Sequence, residues 1–479
     1  MTTSLASRRA ERLSFGVALV AAAGLAGCPD RTISEVNPDQ KSVETKDIPV
    51  NINRDIDILF LIDKSPTMAD EQAALTASFP RFMQILSQIE GGIPNIHVGV
   101  ISQDIGAGGM AVGGNCSGAG DNGNLLATPR ISGCTPPNGN FISDIEGPAG
   151  QPRIRNYTDT LEETFSCIAT LGPTGCGFEQ HLGSLKKALV GNANNASFLR
   201  PDAFLAIIII SDEDDCTARD PQLYNPNNGA AGPFADFRCF EYGWECDEGT
   251  MSRTAGTYTN CRPRTSSPYL NHPDEFVEAI KALKSNPKDI IVSTSIGPSA
   301  RTDPSAPNTR VMISTGMNNI PQVQPSCTNG AQNAFPMPRL FHFAQQFPER
   351  NSFYSLCNAD LGAGLAQIAQ LIRRVVGNPC FESDLETADL DPDNPGTQLE
   401  CTVSDVSNRG KPNEVEVIVP ACEMADATTP APDAKQPCWY VKPDPVKCEA
   451  YPTKLTFAVH PEQRGVPPDT HTIVQCVSR

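Results

Sequence analysis

A chain of 479 residues with 39% hydrophobic and 19% charged residues is long enough for two or three folded units, and is neither a disordered polyelectrolyte nor a polytopic membrane protein. Its formal net charge of −18 argues against a nucleic-acid partner, because phosphate backbones are held by clustered Lys and Arg, and favours cations as ligands.

In chain order, Arg8, Arg9 and Arg12 precede an apolar stretch from Phe15 to Ala26 that is too short for a stable bilayer span, which is the pattern of a secretory signal. The chain has 17 Cys; setting aside Cys28 at the end of that stretch leaves 16, enough for up to eight disulfides. None forms a Cys-x-x-Cys pair or sits with His at zinc-ligand spacing, so these cysteines predict disulfides in an oxidising compartment. Residues 29–47 are polar and aperiodic and read as a tether.

From residue 48 to 377, strand-like and helix-like patterns alternate, which predicts an α/β domain with a largely parallel sheet. Strands are expected at Ile56 to Ile62, Ile96 to Ser102, Ala203 to Ile210, Ile290 to Ile296 and Ser352 to Ser355. Helices are expected at Ala69 to Ser87, with Pro80 placed to kink it, and at Thr158 to Leu171, Gln180 to Val190, Pro273 to Lys284, Pro338 to Gln346 and Leu361 to Val376. A Gly-rich excursion from Gly106 to Gly150 holds Cys116 and Cys134 and reads as a stapled loop. A second insertion carries Cys216, Cys239, Cys246 and Cys261, enough for two local disulfides, and Cys327 and Cys357 are placed to pair. Residues 378–479 lack helical periodicity and hold six Cys (Cys380, Cys401, Cys422, Cys438, Cys448 and Cys476), which predicts a small β domain stapled by disulfides.

Chemistry concentrates after the first buried strand, where Asp63, Ser65 and Thr67 follow one another at two-residue spacing. In an open α/β sheet these oxygens lie beyond the carboxyl ends of the strands, where ligands bind. The bland alternative is that Thr67 caps the next helix and Asp70 and Glu71 complement its dipole. The most apolar run in the chain, Ala203 to Ile210, ends in Ser211-Asp212-Glu213-Asp214-Asp215. The six His show no catalytic spacing, Ser65 lacks a Gly-x-Ser-x-Gly elbow, and His181 reads as a helix-surface residue, so no enzyme is expected.

Asp63-x-Ser65-x-Thr67 resembles the first segment of the metal-ion-dependent adhesion site of von Willebrand factor A (VWA) domains, with Thr for the last Ser. Asp212 stands where that family places a second carboxylate, followed by Glu213 where the family has Gly. Glu179, in Gly175-Cys176-Gly177-Phe178-Glu179, stands where it places a Thr, with Thr174 as a substitute. The resemblance implies a doubly wound, mostly parallel α/β sheet with helices on both faces, followed here by the small β domain. It implies a divalent cation (Mg²⁺ first, Mn²⁺ or Ca²⁺ as alternatives) held by Asp63, Ser65, Thr67, Asp212 and Glu179, with Asp70 and Glu71 candidates for an adjacent cation. The partner it implies is a protein or peptide whose acidic side chain completes the metal's shell. Leu25-Ala26-Gly27-Cys28 is similar to the bacterial lipobox, which implies a lipid-modified Cys28 and an envelope-anchored protein. A metal-free structural envelope protein and, further off, a secreted hydrolase are the other readings.

Overall fold

The computed structural model describes residues 42–478, omitting 50–52, 90, 117, 149, 299–309, 317–319, 330–331, 359, 378, 388–392, 394, 409–412, 446–447, 449–450, 462–464 and 468–469. The signal, Cys28 and the tether as far as residue 41 lie outside the described residues.

The described residues open with β1 (Ser42–Pro49), followed by β2 (Asp55–Ile62), α1 (Ala69–Leu86) and β3 (Asn95–Ser102). Next come β4 (Ile142–Ile145), β5 (Ile154–Arg155), α2 (Leu161–Ala169), α3 (His181–Leu189), β6 (Phe204–Ile210) and α4 (Phe237–Gly243). Alternation then resumes with α5 (Asp274–Lys281), β7 (Ile290–Ile296), α6 (Pro338–Gln345), β8 (Asn351–Ser355) and α7 (Leu361–Gly377).

β8, β7, β6, β2 and β3 lie side by side and parallel, and β4 and β5 extend the β3 edge antiparallel. The expected α/β chain with a mostly parallel sheet is therefore present. β6 is buried at all seven positions, as an apolar strand covered on both faces must be. Period-two alternation along β2 divides the core: Ile56, Ile58, Phe60 and Ile62 pack with α1, α2 and α7, while Leu59 and Leu61 pack with α3, α5 and α6. On the first face Phe79 of α1 and Phe165 of α2 stack at 3.8 Å between centroids, and Phe60 lies 4.8 Å from Phe165. Phe165→Ala would empty the middle of this group and is expected to cost about 3–5 kcal/mol, read as a lower denaturation midpoint.

Helix limits follow local chemistry. Thr160 and Glu163 form a capping box that starts α2, and α1 continues through Pro80 to Leu86.

The Gly106 to Gly150 excursion is more than a loop. It contributes β4, whose Ile142 is buried, and its cysteines bond outward, Cys116 to Cys176 and Cys134 to Cys167. The second insertion holds the two local disulfides expected of it, in the pairing Cys216–Cys239 and Cys246–Cys261 that the sequence leaves open, and Cys327–Cys357 forms as expected. Long insertions leave the carboxyl ends of β3, β6 and β7, and two of them meet where Gly256–Thr259 pairs antiparallel with Arg310–Thr315.

After α7, strands β9 (Cys401–Ser407), β10 (Val415–Ile418), β11 (Cys438–Pro443), β12 (Leu455–His460) and β13 (His471–Ser478) build the C-terminal β module. Its disulfides are Cys380–Cys448, Cys401–Cys476 and Cys422–Cys438. Its four-stranded antiparallel sheet runs β1-β13-β9-β10.

Residues 42–47, expected to be tether, thus belong to a sheet strand. Its signal is hidden because its key residues are charged: Glu44 accepts the Glu382 and Ser383 amides at 2.9 Å each, and buried Lys46 pairs with Glu44 at 3.1 Å and Glu382 at 3.0 Å. Eight disulfides among the described residues place the chain outside the reducing cytoplasm. No helix among those residues is long and apolar enough to cross a membrane.

Candidate metal centre

Because β2 and β6 pair in parallel with Ile62 opposite Ile210, the residues that follow them emerge together beyond the sheet. The Asp63 amide donates to the Ile210 carbonyl at 3.0 Å, which sets Asp63 beside Ser211 and Asp212. Asp63 is fully buried; its Oδ1 accepts the Ser65 amide at 2.7 Å and its Oδ2 the Ser211 hydroxyl at 2.7 Å. Ser65 Oγ and Thr67 Oγ1 lie 3.1 Å apart, and both hydroxyls lie close enough to Asp212 to favour its ionised form. Thr67 is the exposed member, at the mouth. From α1, Gln72 donates to the Asp63 carbonyl at 3.0 Å and accepts the Gly172 amide at 2.9 Å, which clamps three segments in one register.

The loop ahead of α3 is stitched to the same sheet ends. Gly175 donates to the Lys64 carbonyl at 2.7 Å, Gln180 to the Gln103 carbonyl at 3.2 Å, and the Cys116–Cys176 bond pins it from outside. Gly175 is required by close approach, since a Cβ there would lie 2.9 Å from the Lys64 carbonyl oxygen. So held, the loop buries Glu179 close to Glu213, whose charge helps to raise its pKa, and leaves Thr174 exposed.

Asp63, Glu71, Glu179, Asp212 and Glu213 therefore gather in one place. Burial, reinforced by the charge of Asp212, pushes Asp63 up to about 7. Burial likewise raises Glu71 to about 7 and Glu213 to about 8, lifts Glu179 well above the usual carboxylate range, and raises Asp212. Among the described residues no lysine or arginine pairs with any of the five. Lys64, within the Asp63 to Thr67 segment, turns away to Asp104 at 3.2 Å and Asp121 at 2.6 Å. His181 Nε2 lies 3.9 Å from Asp63 Oδ2, but burial holds its pKa down at about 4, so at neutral pH it brings no charge.

Asp212 Oδ1, Glu179 Oε1, Glu71 Oε2 and both ring nitrogens of His181 are buried without a hydrogen-bond partner. Each such atom costs roughly 1–3 kcal/mol or more if left so. Carboxylate and hydroxyl oxygens crowded together, uncompensated and partly unsatisfied, are the donor set a hard divalent cation takes, so the residues present fit such an ion.

The fold thus brings together all five residues singled out for the first cation. It separates the two assigned to an adjacent one: Asp70 is exposed, whereas Glu71 turns inward to the same acids. His181 is not a surface residue but fully buried. Its position four residues before Leu185, on the apolar face of α3, carried that signal. Glu213, Ser211 and Gln72 went unassigned because only strand pairing and helix docking bring them in. Asp214 and Asp215 are structural. Asp214 accepts the Arg339 and Leu340 amides at the start of α6, and Asp215 accepts the Leu182 amide and pairs with Arg339 at 2.9 Å.

No protein-family model and no curated protein matches this sequence. Among solved structures, the chain is similar to the pilus adhesin SpaC from Lactobacillus rhamnosus GG in its open conformation, at 10% identity and a TM-score of 0.30, over 93% of this chain and 43% of that one. It is similar to the pilus adhesin RrgA from Streptococcus pneumoniae at 10% identity and a TM-score of 0.27, over 91% and 57%. A third likeness is to three N-terminal domains of the type V pili tip protein Mfa5 from Porphyromonas gingivalis, at 12% identity and a TM-score of 0.21, over 92% and 69%. The chain spans less than half of the first adhesin and just over half of the second. Likenesses of this size leave the fold and the site to be read from the chain itself.

Proposed function

We propose that the chain is a VWA-like receptor of the cell envelope, lipid-anchored through Cys28, which holds a divalent cation and through it recognises an acidic protein or peptide. The observation that carries this reading is the group of five carboxylates with no lysine or arginine among the described residues to balance them and with Asp212 Oδ1 and Glu179 Oε1 buried and unsatisfied. Helices on both faces of a mostly parallel sheet, with acids and hydroxyls beyond its carboxyl ends, support a doubly wound architecture of that family.

Asp63, Ser65, Thr67 and Asp212 would hold the ion, with Glu179 contributing from the loop; Mg²⁺ is the reference cation, with Mn²⁺ and Ca²⁺ as alternatives. When bound, it supplies positive charge at a mouth that is otherwise acidic. Burial raises both Glu179 and Glu213 above the usual carboxylate range, so this pair carries less charge than two free carboxylates and competes less for the cation. Thr67 keeps the mouth open to a ligand. The role is recognition, not turnover. Without the cation the acids repel an acidic partner, so binding has to be strictly cation-dependent.

The test is a pull-down from envelope fractions with the soluble form beginning after Cys28, in Mg²⁺ or in EDTA, with Asp212→Ala alongside. The expected result is a partner retained in Mg²⁺ and lost both in EDTA and with the variant; equal retention in all three overturns the reading.

A further inference from the structure

We propose that His272, Asp274 and His342 form a second metal site, built for a borderline transition-metal dication of the zinc type and independent of the acidic centre. His272 and Asp274 flank Pro273 at the start of α5, and His342 comes from α6, which packs beside α5 through Phe276, Val277, Leu340 and Phe343. That packing sets His342 Nε2 2.7 Å from Asp274 Oδ1, while His272 Nδ1 lies 3.3 Å from Asp274 Oδ2. One ligand atom from each of the three residues falls within 4.8 Å of the others. Zinc binds nitrogen and carboxylate oxygen at about 2.0–2.2 Å, so small side-chain rotations close these three atoms around one ion.

One contact favours an ion over a plain hydrogen-bonded trio. The Asp274 amide donates to His272 Nδ1 at 3.3 Å, so that nitrogen is unprotonated and a metal would displace this long hydrogen bond, and the same nitrogen faces a carboxylate oxygen at 3.3 Å. A cation between them removes the repulsion.

Competing charges are occupied. Arg339 is held by Asp215 at 2.9 Å and the Asn271 carbonyl at 2.7 Å, and Glu275 is held by Arg219 and Asn271. Two imidazoles and one carboxylate select Zn²⁺, Ni²⁺, Co²⁺ or Cu²⁺ over Mg²⁺ and Ca²⁺, the reverse of the oxygen-only preference at the acidic centre. All three residues are at least partly exposed, so an ion reaches them from solvent.

The test uses the tag-free soluble chain in saturating Mg²⁺, titrated with Zn²⁺ by calorimetry and with Co²⁺ by visible absorption. One equivalent is expected to bind; His342→Ala and Asp274→Asn should each weaken it by more than roughly ten-fold. Asp63→Ala should leave it unchanged, which separates this site from the proposed receptor function. Circular dichroism confirms folding of each variant. Absence of saturable binding, or binding indifferent to both His342→Ala and Asp274→Asn, overturns the proposal.

Discussion

Removing divalent cations with EDTA is expected to lower the unfolding temperature of the wild-type chain by about 5 °C near pH 7.5, and Asp63→Ala to abolish that difference. An ion that binds only the folded state stabilises by about 2.7 kcal/mol at a hundred times its dissociation constant. For a domain of this size, each kcal/mol moves the midpoint by roughly 2 °C. Asp63 is the residue to remove because its carboxylate is fully buried at the centre of the group and fixed from both sides by Ser65 and Ser211.

The effect carries a pH signature. Without the cation, the folded-state values of Asp63 and Glu71 are about 7 and that of Glu213 about 8, against ordinary values of 3.8 and 4.5. The folded chain therefore keeps protons that the unfolded chain has released. The stability these groups contribute is complete below about pH 4 and is lost as pH rises through 7 to 8. A bound cation takes the place of those protons, so the gap between Mg²⁺ and EDTA widens from pH 5.5 to 8. Scanning fluorimetry across that range measures it, and identical midpoints for the wild type with and without EDTA at every pH would sink the cation assignment.

Arg339→Ala is expected to cost about 3–5 kcal/mol, the usual penalty for stranding a buried charge. Arg339 is 1% exposed and reaches the Asp215 carbonyl through Nε at 2.8 Å and the Asp215 carboxylate through Nη2 at 2.9 Å. Asp215 in turn accepts the Leu182 amide at 2.9 Å and the Thr217 hydroxyl at 2.6 Å, so losing the guanidinium leaves a buried carboxylate at the head of α3. That helix begins at His181, two residues after Glu179, so cation affinity should fall along with stability. Arg339→Lys should not rescue, because an ammonium cannot span the carbonyl and the carboxylate as the planar fork does. Denaturant midpoints for both variants decide the matter, and an Arg339→Ala protein within about 1 kcal/mol of wild type would refute this account.

The sheet was legible wherever one strand carries its own pattern. β6 announces itself by an unbroken apolar run, and β7 matches its expected limits from Ile290 to Ile296. β4 has only four residues and β1 is stabilised through charged side chains, so neither offers a local signal. At the site, Asp63 and Asp212 were legible because each ends a buried strand. Glu213 and Ser211 were not, since their parts depend on the register of β2 against β6 and on the loop that Cys176 fastens. The inward turn of Glu71 beside an outward Asp70 depends on how α1 docks, which no spacing within the helix reveals.

The pairing of β1 with β13 gives the molecule a direction. β1 leads within a few residues to the amino end of β2, while the acidic mouth lies past its carboxyl end, a strand of eight residues or about 26 Å away. α7 starts after β8 on the side of the mouth and delivers the chain back to the opposite side, where the C-terminal sheet receives β1. A chain held by anything ahead of Ser42 would stand on its β module like a lamp on its foot, with the mouth turned away from the point of attachment and toward whatever approaches.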